Sequence, residues 1–437
     1  MQEQKNVLFI CIDCLRSDFA FGDYGSNKDF FDFFEREGTA FDTMISAASV
    51  TSPCVGSYMT GRYPYEHGIR SLRDISLNQD VSTLAELFKQ SGYTTSAHVC
   101  GPIVRDTGLD RGFSTYFHRK KEQTVYTDWY DEFKSEISDQ QSPWFTYLHL
   151  WEVHGGKRDL PPDADQDNLE YDEAIRRVMT KLEDLFELVD VENTIIAITG
   201  DHGESIYDGT LRNFLTKNIL EYFHIPLTNK TTGDLRSSFY DKYLQKSEID
   251  LEDFYNSLRK YRKRDFPSAL HKVGHGYHVY DFITRVPFAI AGHNVPNNGR
   301  ITTQVRQVDI FPTLLHAADI SSPDVEGQNL LSGDIDIRPA FSSACGPTLR
   351  SEKNWLYSVR YNNRKLIRGT ERSLRQLFNL EKDPGEINNI SGEQLEKEDP
   401  LEELLDGYIQ SMKRRQNDTS NIDPDKMEKQ LEDLGYL

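Results

Sequence analysis

The run Val7-Leu8-Phe9-Ile10-Cys11-Ile12-Asp13 decides the fold class, because a continuous apolar stretch ends abruptly at a carboxylate. Such a stretch is typical of a strand that is buried on both faces of a parallel sheet. Later runs of the same form are Thr95 to Cys100, Trp144 to Trp151, Thr194 to Thr199 and Val286 to Ala291. Helical patterns lie between them, including Val81 to Gln90 and Tyr171 to Val189. This alternation predicts an α/β fold, with a large and mostly parallel sheet sandwiched by helices.

The composition is that of a large folded protein. The chain has 437 residues, of which 37% are hydrophobic, and its 24 Phe and 22 Tyr supply material for an extensive core. This length suits a large α/β domain with a smaller domain beside it. The net charge of −20 argues against a general nucleic-acid binder, so we expect no nucleic-acid partner.

Changes in composition along the chain predict two domains. Residues 1–334 would form the catalytic α/β domain, interrupted at 205–273 by a polar insert that contains the basic run Arg259 to Arg264. Residues 335–437 would form a smaller C-terminal α+β subdomain. Its candidate strands are Trp355 to Val359 and Lys365 to Ile367, and its acidic helical tail includes Gln394 to Leu405.

The N-terminal sequence and the cysteines predict a cytoplasmic protein without a membrane span. The polar start Met1 to Asn6 and the short apolar run Val7 to Ile12 do not resemble a targeting or membrane segment. Cys11 and Cys14 have C-x-x-C spacing, but the pair straddles the end of a strand and does not open a helix. Buried thiols in a reducing compartment are therefore the favoured interpretation, with redox chemistry as the alternative.

Polar residues that could carry chemistry follow the predicted strands. Asp13 ends the first run, His154 comes after the run at Trp144, and Asp201 and His202 come after the run at Thr194. Function gathers at the carboxyl ends of strands in such sheets, so we expect these side chains to meet. Thr51 opens the helix-capable stretch Thr51 to Pro64, where unpaired backbone N–H groups favour negative charge.

These residue types suit a divalent cation. Carboxylates, a histidine and a hydroxyl are hard and borderline ligands, and a cation held by them could polarise an anionic ester and activate the Thr51 hydroxyl. Two structural alternatives remain open from the residues alone. Thr51 could be an ordinary helix N-cap, and Asp201-His202-Gly203 could be a helix cap with a hydrogen-bonded histidine.

A series of motifs resembles the sulfatase family of the alkaline phosphatase superfamily, in the order expected for that family. The matching segments are Asn6 to Asp18, Thr51 to His67, Ser91 to Thr95, Gly108 to Phe113, Leu148 to Gly155, Thr199 to Glu204, His275 to Pro287, Leu377 to Leu380 and Asp383 to Glu386. The resemblance covers nearly the whole chain except the insert. It implies the alkaline phosphatase/sulfatase-like fold and a hydrolase that acts on phosphate or sulfate esters.

The resemblance also implies roles for individual residues. Asp13, Asp201, His202 and Thr51 would bind the metal, and Thr51 would also be the nucleophile. His154 and His275 would contact the ester oxygens or protonate the leaving group; the alternatives are a buried hydrogen-bonded histidine and a loop cap. Arg62 is either a contact to the substrate anion or a structural ion pair. One hard cation (Mg²⁺, Mn²⁺ or Ca²⁺) is the favoured cofactor. Two Zn²⁺ ions are the alternative, with further ligands drawn from His271, His275 and His278.

The chain departs from ordinary sulfatases at the nucleophile. Those enzymes convert a Cys or Ser, followed by x-Pro-x-Arg, into formylglycine, whereas this chain has Thr51 and Val55 at the corresponding positions. Threonine cannot become formylglycine because its β-carbon carries a methyl group, so we expect none. The Asp pair seen in many sulfatases is Asp13-Cys14, and Val99 to Pro102 replaces the family's Lys-containing segment.

Family members with an unmodified Thr resemble phosphoryl-transfer enzymes. The leading prediction is therefore a metal-dependent phosphoester hydrolase or transferase, acting on a phosphodiester or phosphomonoester. A sulfatase is the first alternative, and an inactive sulfatase-like binding protein is the second. The substrate would be an anionic ester such as a phosphorylated or sulfated sugar or lipid headgroup. The insert would form a lid or collar whose basic run meets that substrate, or else a solvated helix face.

Overall fold

The computed structural model describes residues 4–21, 28–72, 76–154, 171–204, 275–276, 278–345, 355–369, 374–391 and 400–414. The predicted insert at 205–273, with its basic run, lies outside the described residues. The described strands are β1 (Asn6–Ile12), β2 (Gly38–Ile45), β3 (Thr94–Val99), β4 (Thr115–His118), β5 (Trp144–Leu150), β6 (Thr194–Gly200), β7 (Arg285–Ala291), β8 (Gly299–Ile301), β9 (Val305–Arg306), β10 (Ala340–Ala344), β11 (Leu356–Tyr361), β12 (Arg364–Gly369) and β13 (Arg375–Asn379).

The structure describes ten helices, and helices lie on both faces of the larger sheet. They are α1 (Ser17–Ala20), α2 (Lys28–Glu37), α3 (Thr51–Thr60), α4 (Pro64–His67), α5 (Leu84–Gln90), α6 (Asp128–Asp139), α7 (Tyr171–Phe186), α8 (Asp281–Thr284), α9 (Ile310–Ala317) and α10 (Pro400–Arg414). Two 3-10 turns, Arg105–Thr107 and Gln307–Asp309, complete the described helical elements. The predicted helices correspond to α5 and α7.

The central sheet has nine strands in the order β4-β3-β5-β1-β6-β7-β2-β8, with β9 also paired to β2. β1 lies in the interior and pairs parallel to both β5 and β6. The α/β class with a large, mostly parallel sheet is confirmed. The run Val286 to Ala291 had been grouped with the parallel strands, and for this run the prediction was wrong. It forms β7, which runs antiparallel to both β6 and β2. A buried apolar run is compatible with either direction, since both faces of the strand are covered in each case.

The alternating side chains of β1 supply both layers of the core. Val7, Phe9 and Cys11 face the layer that contains α3, α5 and α9. Leu8 and Ile10 face the layer that contains α2, α6 and α7. Each of these residues is fully buried, and each large aliphatic or aromatic side chain contributes about 1.5–3 kcal/mol relative to exposure. The continuous apolar character of β1 is thus the direct consequence of burial on two faces.

A four-stranded antiparallel sheet, β10-β11-β12-β13, follows residue 335, together with α10. Both predicted C-terminal strands are present, as β11 and β12. This small sheet packs beside the segment that leads into α3: the Ser342 hydroxyl donates to the Ser46 carbonyl at 2.5 Å, and Ala48 forms a bridge with Ser343. The division into domains at residue 335 stays a prediction, and the predicted tail corresponds in part to α10.

Among the described residues, no helix combines the length and the apolar character needed to cross a membrane. None of the five cysteines, all of which are described and buried, forms a disulfide bond. The C-x-x-C pair Cys11 and Cys14 is therefore present as two separate thiols.

Candidate active site

The register of the central sheet brings Asp13 and Asp201 together. β1 and β6 are parallel, and Ile12 lies opposite Gly200 in the ladder. The next residue of each strand, Asp13 and Asp201, therefore leaves the sheet at the same edge. Both carboxylates are fully buried. This is the edge predicted from the ends of the apolar runs.

The two oxygens of Asp201 have different surroundings. Its Oδ1 accepts hydrogen bonds from the backbone N–H of Cys14 at 3.0 Å and from that of His202 at 2.8 Å. Its Oδ2 lies 3.4 Å from His202 Nε2 and receives no hydrogen bond from any residue that the structure describes. The backbone thus orients the carboxylate and leaves one oxygen directed into the cluster.

His202 is oriented so that Nε2 points at oxygen atoms. Its Nδ1 lies 2.9 Å from the Gly203 carbonyl, which can only accept, so Nδ1 donates and Nε2 carries a lone pair in the neutral ring. Burial lowers the pKa of His202 to about 4, which favours the neutral form. From Nε2, Thr51 Oγ1 is at 3.3 Å and Asp13 Oδ1 at 3.8 Å.

Thr51 is the first residue of α3, and its side chain is turned toward this cluster. The N-cap position is occupied by Val50, so Thr51 is not the N-cap of this helix. The hydroxyl is 99% buried and meets His202 instead of a backbone amide of its own helix. The N-terminus of a helix of this length favours negative charge, which suits an anionic ester or an ionised hydroxyl at Thr51.

Gln307 links the two halves of the site and was not found from the sequence. Its Oε1 accepts from the backbone N–H of Ala47 at 3.1 Å, in the segment before α3. Its Nε2 donates to the Asp201 carbonyl at 2.8 Å. This buried amide therefore holds the Thr51 segment in place against the end of β6. No local pattern in the sequence distinguishes it from other glutamines.

His154 and His275 join the same cluster. The rings of His154 and His275 have centroids 4.9 Å apart, and those of His202 and His275 are 4.2 Å apart. One nitrogen of His154 lies within 4.8 Å of ligand atoms of Asp13 and Cys14. The structure therefore places both predicted histidines in the same cluster as His202, Asp13 and Cys14.

Cys14 and Glu204 lie beside His275, and sequence reasoning did not assign them to the site. Cys14 Sγ is 3.5 Å from His275 Nδ1 and 3.6 Å from Glu204 Oε2. Burial alone would lower the pKa of His275, but its hydrogen bond to Glu204 and the charge of that carboxylate outweigh burial and raise the pKa above its ordinary value. Glu204 was visible in the motif Thr199 to Glu204, although nothing there indicated its direction.

Arg119 and Glu152 form a second buried charged pair, which was also missed from the sequence. Arg119 Nη1 and Glu152 Oε1 are 2.8 Å apart, and both side chains are fully buried. Arg119 also contacts Cys100 Sγ at 3.3 Å, within the segment that replaces the family's Lys motif. The charge of Arg119 is therefore engaged with Glu152, and we assign the pair a structural role.

The structure does not bring Arg62 to the cluster. It follows the left-handed Gly61 beyond the C-terminal end of α3, and the last helical residue, Thr60, is already roughly 13 Å along the helix axis from Thr51. Its guanidinium donates to Glu66 Oε1 at 3.1 Å and to the Asp324 carbonyl at 2.7 Å. Of its two sequence-based interpretations, these contacts support the structural ion pair.

Comparisons with known proteins agree with this geometry. A family model described as Sulfatase matches residues 5–320. A putative extracellular sulfatase Sulf-1 homolog of Caenorhabditis elegans is 33% identical over 119 residues, which are 23% of this chain and 17% of that protein. Arylsulfatase K of Bos taurus is 28% identical over 151 residues, covering 32% of this chain and 28% of its own. The matched regions thus span less than a third of these relatives.

Solved structures resemble the described fold over almost their full length. A 2-O GAG sulfatase superposes with a TM-score of 0.63 at 18% identity, covering 97% of this chain and 96% of its own. The phosphonate monoester hydrolase of Agrobacterium radiobacter gives 0.62 at 15% identity, with coverage of 95% and 96%. A protein in complex with its substrate D-glucosamine-2-N,6-O-disulfate gives 0.62 at 16% identity, with coverage of 94% and 99%. At these identities the likeness concerns the fold alone.

Proposed function

The chain belongs to the sulfatase family, and we propose that it is a metal-dependent phosphoester hydrolase or transferase with Thr51 as its nucleophile. One observation carries the proposal: the buried Thr51 hydroxyl opens α3 and lies 3.3 Å from His202 Nε2, in the cluster formed with Asp13 and Asp201. The Thr51 hydroxyl therefore lies among the Asp13, Asp201 and His202 atoms that we assign as ligands of the metal. This arrangement supports a role in the reaction.

The residues present fit a divalent cation. In the neutral ring, His202 Nε2 offers a lone pair to Asp13 and Asp201, whose carboxylate oxygens are also acceptors. At 3.4 to 3.8 Å such atoms repel one another unless a cation or a proton lies among them, and a divalent cation suits this mixture of oxygen and nitrogen acceptors. Asp13, Asp201, His202 and Thr51 would hold Mg²⁺, Mn²⁺ or Ca²⁺, with Zn²⁺ as the alternative. A cation bound there would polarise an anionic ester and lower the pKa of the Thr51 hydroxyl.

The reaction divides into two displacements. Thr51 loses its proton to solvent, and its Oγ1 forms a bond to phosphorus while the bond to the leaving oxygen breaks. His154 donates a proton to that oxygen, and His275 donates a hydrogen bond from Nε2 to an ester oxygen, since its Nδ1 faces Glu204. Water or an acceptor alcohol then attacks phosphorus and gives its proton to His154, while the bond from phosphorus to Thr51 Oγ1 breaks and this oxygen takes a proton from solvent.

The chemistry of threonine supports phosphoryl over sulfuryl transfer. Thr51 cannot be converted to formylglycine, and a phosphorylated threonine can be opened at phosphorus by water or an alcohol. A sulfated threonine lacks the route by which an aldehyde hydrate eliminates sulfate. The substrate class we propose is accordingly a phosphodiester or phosphomonoester, such as a phosphorylated sugar or lipid headgroup.

Sulfate-ester hydrolysis is the second candidate, and the names of the relatives favour it. The two curated relatives described above are called sulfatases, and one structural neighbour was solved with a disulfated glucosamine as its substrate. A sulfated sugar is therefore the alternative substrate. The inactive binding protein is disfavoured, because the ligand and nucleophile positions form one cluster.

A metal-supplemented screen of aryl phosphodiester, aryl phosphate and aryl sulfate tests the proposal. We expect phosphodiester turnover that falls by about 10⁴-fold or more in Thr51→Ala. Thr60→Ala is the matched control, because it removes a buried hydroxyl from the other end of α3 and should leave turnover intact. Sulfatase activity that persists in Thr51→Ala would overturn the assignment of the nucleophile.

Intact-mass measurement tests the absence of formylglycine separately. We expect the mass of the unmodified chain, with no cysteine converted to the aldehyde.

A cytoplasmic location remains part of the proposal, and it is supported by five buried cysteines without a disulfide.

A further inference from the structure

A second cluster of ligand-type atoms adjoins the first, and the mechanism above uses only the Nε2 side of its histidine, His275. Cys14 Sγ, Glu204 Oε2 and the Nδ1 atom of His275 are mutual neighbours. The sulfur lies 3.5 Å from the nitrogen and 3.6 Å from the oxygen, and nitrogen and oxygen are 3.4 Å apart. Three different elements of the fold supply them: the end of β1, the end of β6 and the segment before α8.

These separations are those of three corners of a tetrahedron around zinc. Zinc binds sulfur at about 2.3 Å and nitrogen or oxygen at about 2.0–2.2 Å. Tetrahedral angles with those bond lengths place sulfur about 3.6 Å from nitrogen and from oxygen, and nitrogen about 3.4 Å from oxygen. Each observed distance agrees with its ideal value to within about 0.1 Å. A cation could therefore enter with little rearrangement of Cys14, Glu204 or His275.

The backbone holds these side chains in place. Cys14 has φ of 66°, a left-handed conformation that is costly for a residue with a β-carbon, and its N–H is bound to Asp201. The Glu204 carbonyl accepts from Arg16 Nη1 at 3.1 Å. Gly203, the residue before Glu204, lets the backbone lie close to the Phe282 carbonyl. A β-carbon at this position would lie 2.2 Å from that carbonyl oxygen.

The donor set differs in softness from the first cluster. Asp13, Asp201 and Thr51 offer oxygen, which suits hard cations, whereas the second cluster combines a thiol, an imidazole and a carboxylate. Thiolate and imidazole ligands favour Zn²⁺ over the hard cations Mg²⁺, Ca²⁺ and Mn²⁺. The sulfur is fully buried, and the side chains of His275 and Glu204 are only 10% and 3% exposed.

His202 separates the two clusters and belongs to the first. Its Nδ1 is 3.8 Å from Cys14 Sγ, but it donates to the Gly203 carbonyl at 2.9 Å. Its Nε2 faces Thr51 and the carboxylates. The second cluster therefore has three protein ligands that are not assigned to the first cation.

We propose that Cys14, Glu204 and His275 form a second metal site that takes Zn²⁺, beside the hard-cation site at Asp13, Thr51, Asp201 and His202. A metal on His275 Nδ1 leaves its Nε2–H as the donor to an ester oxygen. The second site does not depend on Thr51 being the nucleophile. It goes beyond the single hard cation of the proposed function.

Cobalt(II) is the probe that tests this site, because a thiolate ligand gives Co²⁺ a charge-transfer absorption band in the near ultraviolet. The full-length protein is stripped with a chelator, kept reduced and titrated with Co²⁺. We expect a thiolate band that saturates by two equivalents, because the hard-cation site can also take Co²⁺, and that disappears in Cys14→Ser. The matched control is Cys54→Ser, another buried thiol near Thr51, which should keep the band.

Two further variants keep the result interpretable. Thr51→Ala should retain the Co²⁺ band while losing activity, so failure of the proposed function and failure of the second site are distinguished. Glu204→Gln should retain the band and bind Co²⁺ at least about tenfold more weakly, since it loses one charged ligand.

Zinc K-edge X-ray absorption of the wild-type protein is independent of any substitution. We expect one sulfur neighbour at about 2.3 Å for one of the bound zinc ions. Absence of both the sulfur neighbour and the cobalt band would overturn the proposal and leave a hydrogen-bonded Cys-His-Glu cluster. A band that survives Cys14→Ser would also overturn it.

Discussion

Two buried groups of charges in this protein are built in opposite ways. At the active-site edge, burial and the charge of Asp201 raise the pKa of Asp13 well above its ordinary value. At the junction between the central sheet and the small sheet, burial also opposes ionisation of Asp281, but Lys365 and Arg360 outweigh it, and the pKa lies below the ordinary value. Both carboxylates are buried. Positively charged side chains lie against Asp281, whereas the neighbouring charge with the largest effect on the pKa of Asp13 is the negative charge of Asp201.

This difference matches the functional role that we propose for the edge and the structural role that we assign to the junction. Lys365 Nζ lies 2.7 Å from Asp281 Oδ1 and 2.9 Å from Glu386 Oε1, so the junction carries its own counterion. The active-site edge instead gathers acceptors, among them the Oδ2 atom of Asp201, which we assign to an external cation. Charged groups of the junction should therefore matter for stability, and those of the edge for activity.

The largest effect is expected from Asp201→Asn. Asparagine can keep the two hydrogen bonds from Cys14 and His202 through Oδ1, but it loses the charge that would hold the cation. We expect activity to fall about a thousandfold or more, because the bound metal supplies several kcal/mol of transition-state stabilisation. The unfolding free energy of the metal-free protein should stay equal or rise, since a buried carboxylate has been neutralised.

Steady-state kinetics and urea unfolding in chelator measure the two quantities. Asp309→Asn is the matched control, because Asp309 is a buried carboxylate that already pairs with Arg306 at 2.8 Å. Asp309→Asn should lower the unfolding free energy and leave the steady-state activity close to that of wild type. A metal-free Asp201→Asn protein less stable than wild type would break the contrast between edge and junction.

Lys365→Met tests the junction. It leaves Asp281 and Glu386 buried without their shared cation, which we expect to cost about 3–5 kcal/mol of unfolding free energy. Arg368→Met is the comparison, because Arg368 pairs with Glu402 on a partly exposed surface and should cost about 1 kcal/mol or less. Urea denaturation measures both, and equal losses in the two variants would contradict the structural role of Lys365.

Metal addition should raise the unfolding free energy by binding at the active-site edge. The size of this increase should not depend on the charged groups of the junction. A cation present at 100 times its dissociation constant should raise the unfolding free energy of wild type by about 2.7 kcal/mol. The same addition should give the full increment in Lys365→Met and little in Asp201→Asn. Thermal unfolding with and without Mg²⁺, Mn²⁺ or Ca²⁺ measures this, and an increment in Asp201→Asn equal to that of wild type would place the cation elsewhere.

The smallest effect is a pH dependence at the junction. Because the pKa of Asp281 is lower in the folded chain than in the unfolded one, its contribution is complete above about pH 3.9 and is lost as the pH falls toward the folded value. The stability difference between wild type and Asp281→Asn should therefore shrink below that pH. A difference that stays constant from neutral pH to pH 3 would contradict the depressed pKa.

Much of the site could be predicted because parallel strands end at one edge of a sheet. Asp13, Asp201, His202 and His154 each follow an apolar run, and the structure brings them together. Thr51 required one more step, the likeness of its surroundings to a family nucleophile. In each case the residue stands directly after or before a recognisable element, so its position along the chain is informative.

The residues that were missed have no such position. Gln307 acts through contacts to Ala47 and Asp201, which lie far away in the sequence. Cys14 was taken for one of several buried thiols and for the loss of an oxygen ligand. Its closeness to Glu204 and His275 depends on a left-handed backbone and on how β6 and the segment before α8 approach it.

The apolar runs by themselves determined that this chain forms a buried, mostly parallel sheet, because a strand covered on both faces must be apolar throughout. They also determined which carboxylates and histidines stand at strand ends. Only the tertiary structure decided the antiparallel direction of β7, the addition of β2, and the grouping of Cys14 with Glu204 and His275. Pairing direction and side-chain proximity depend on packing between distant segments, and burial alone does not encode them.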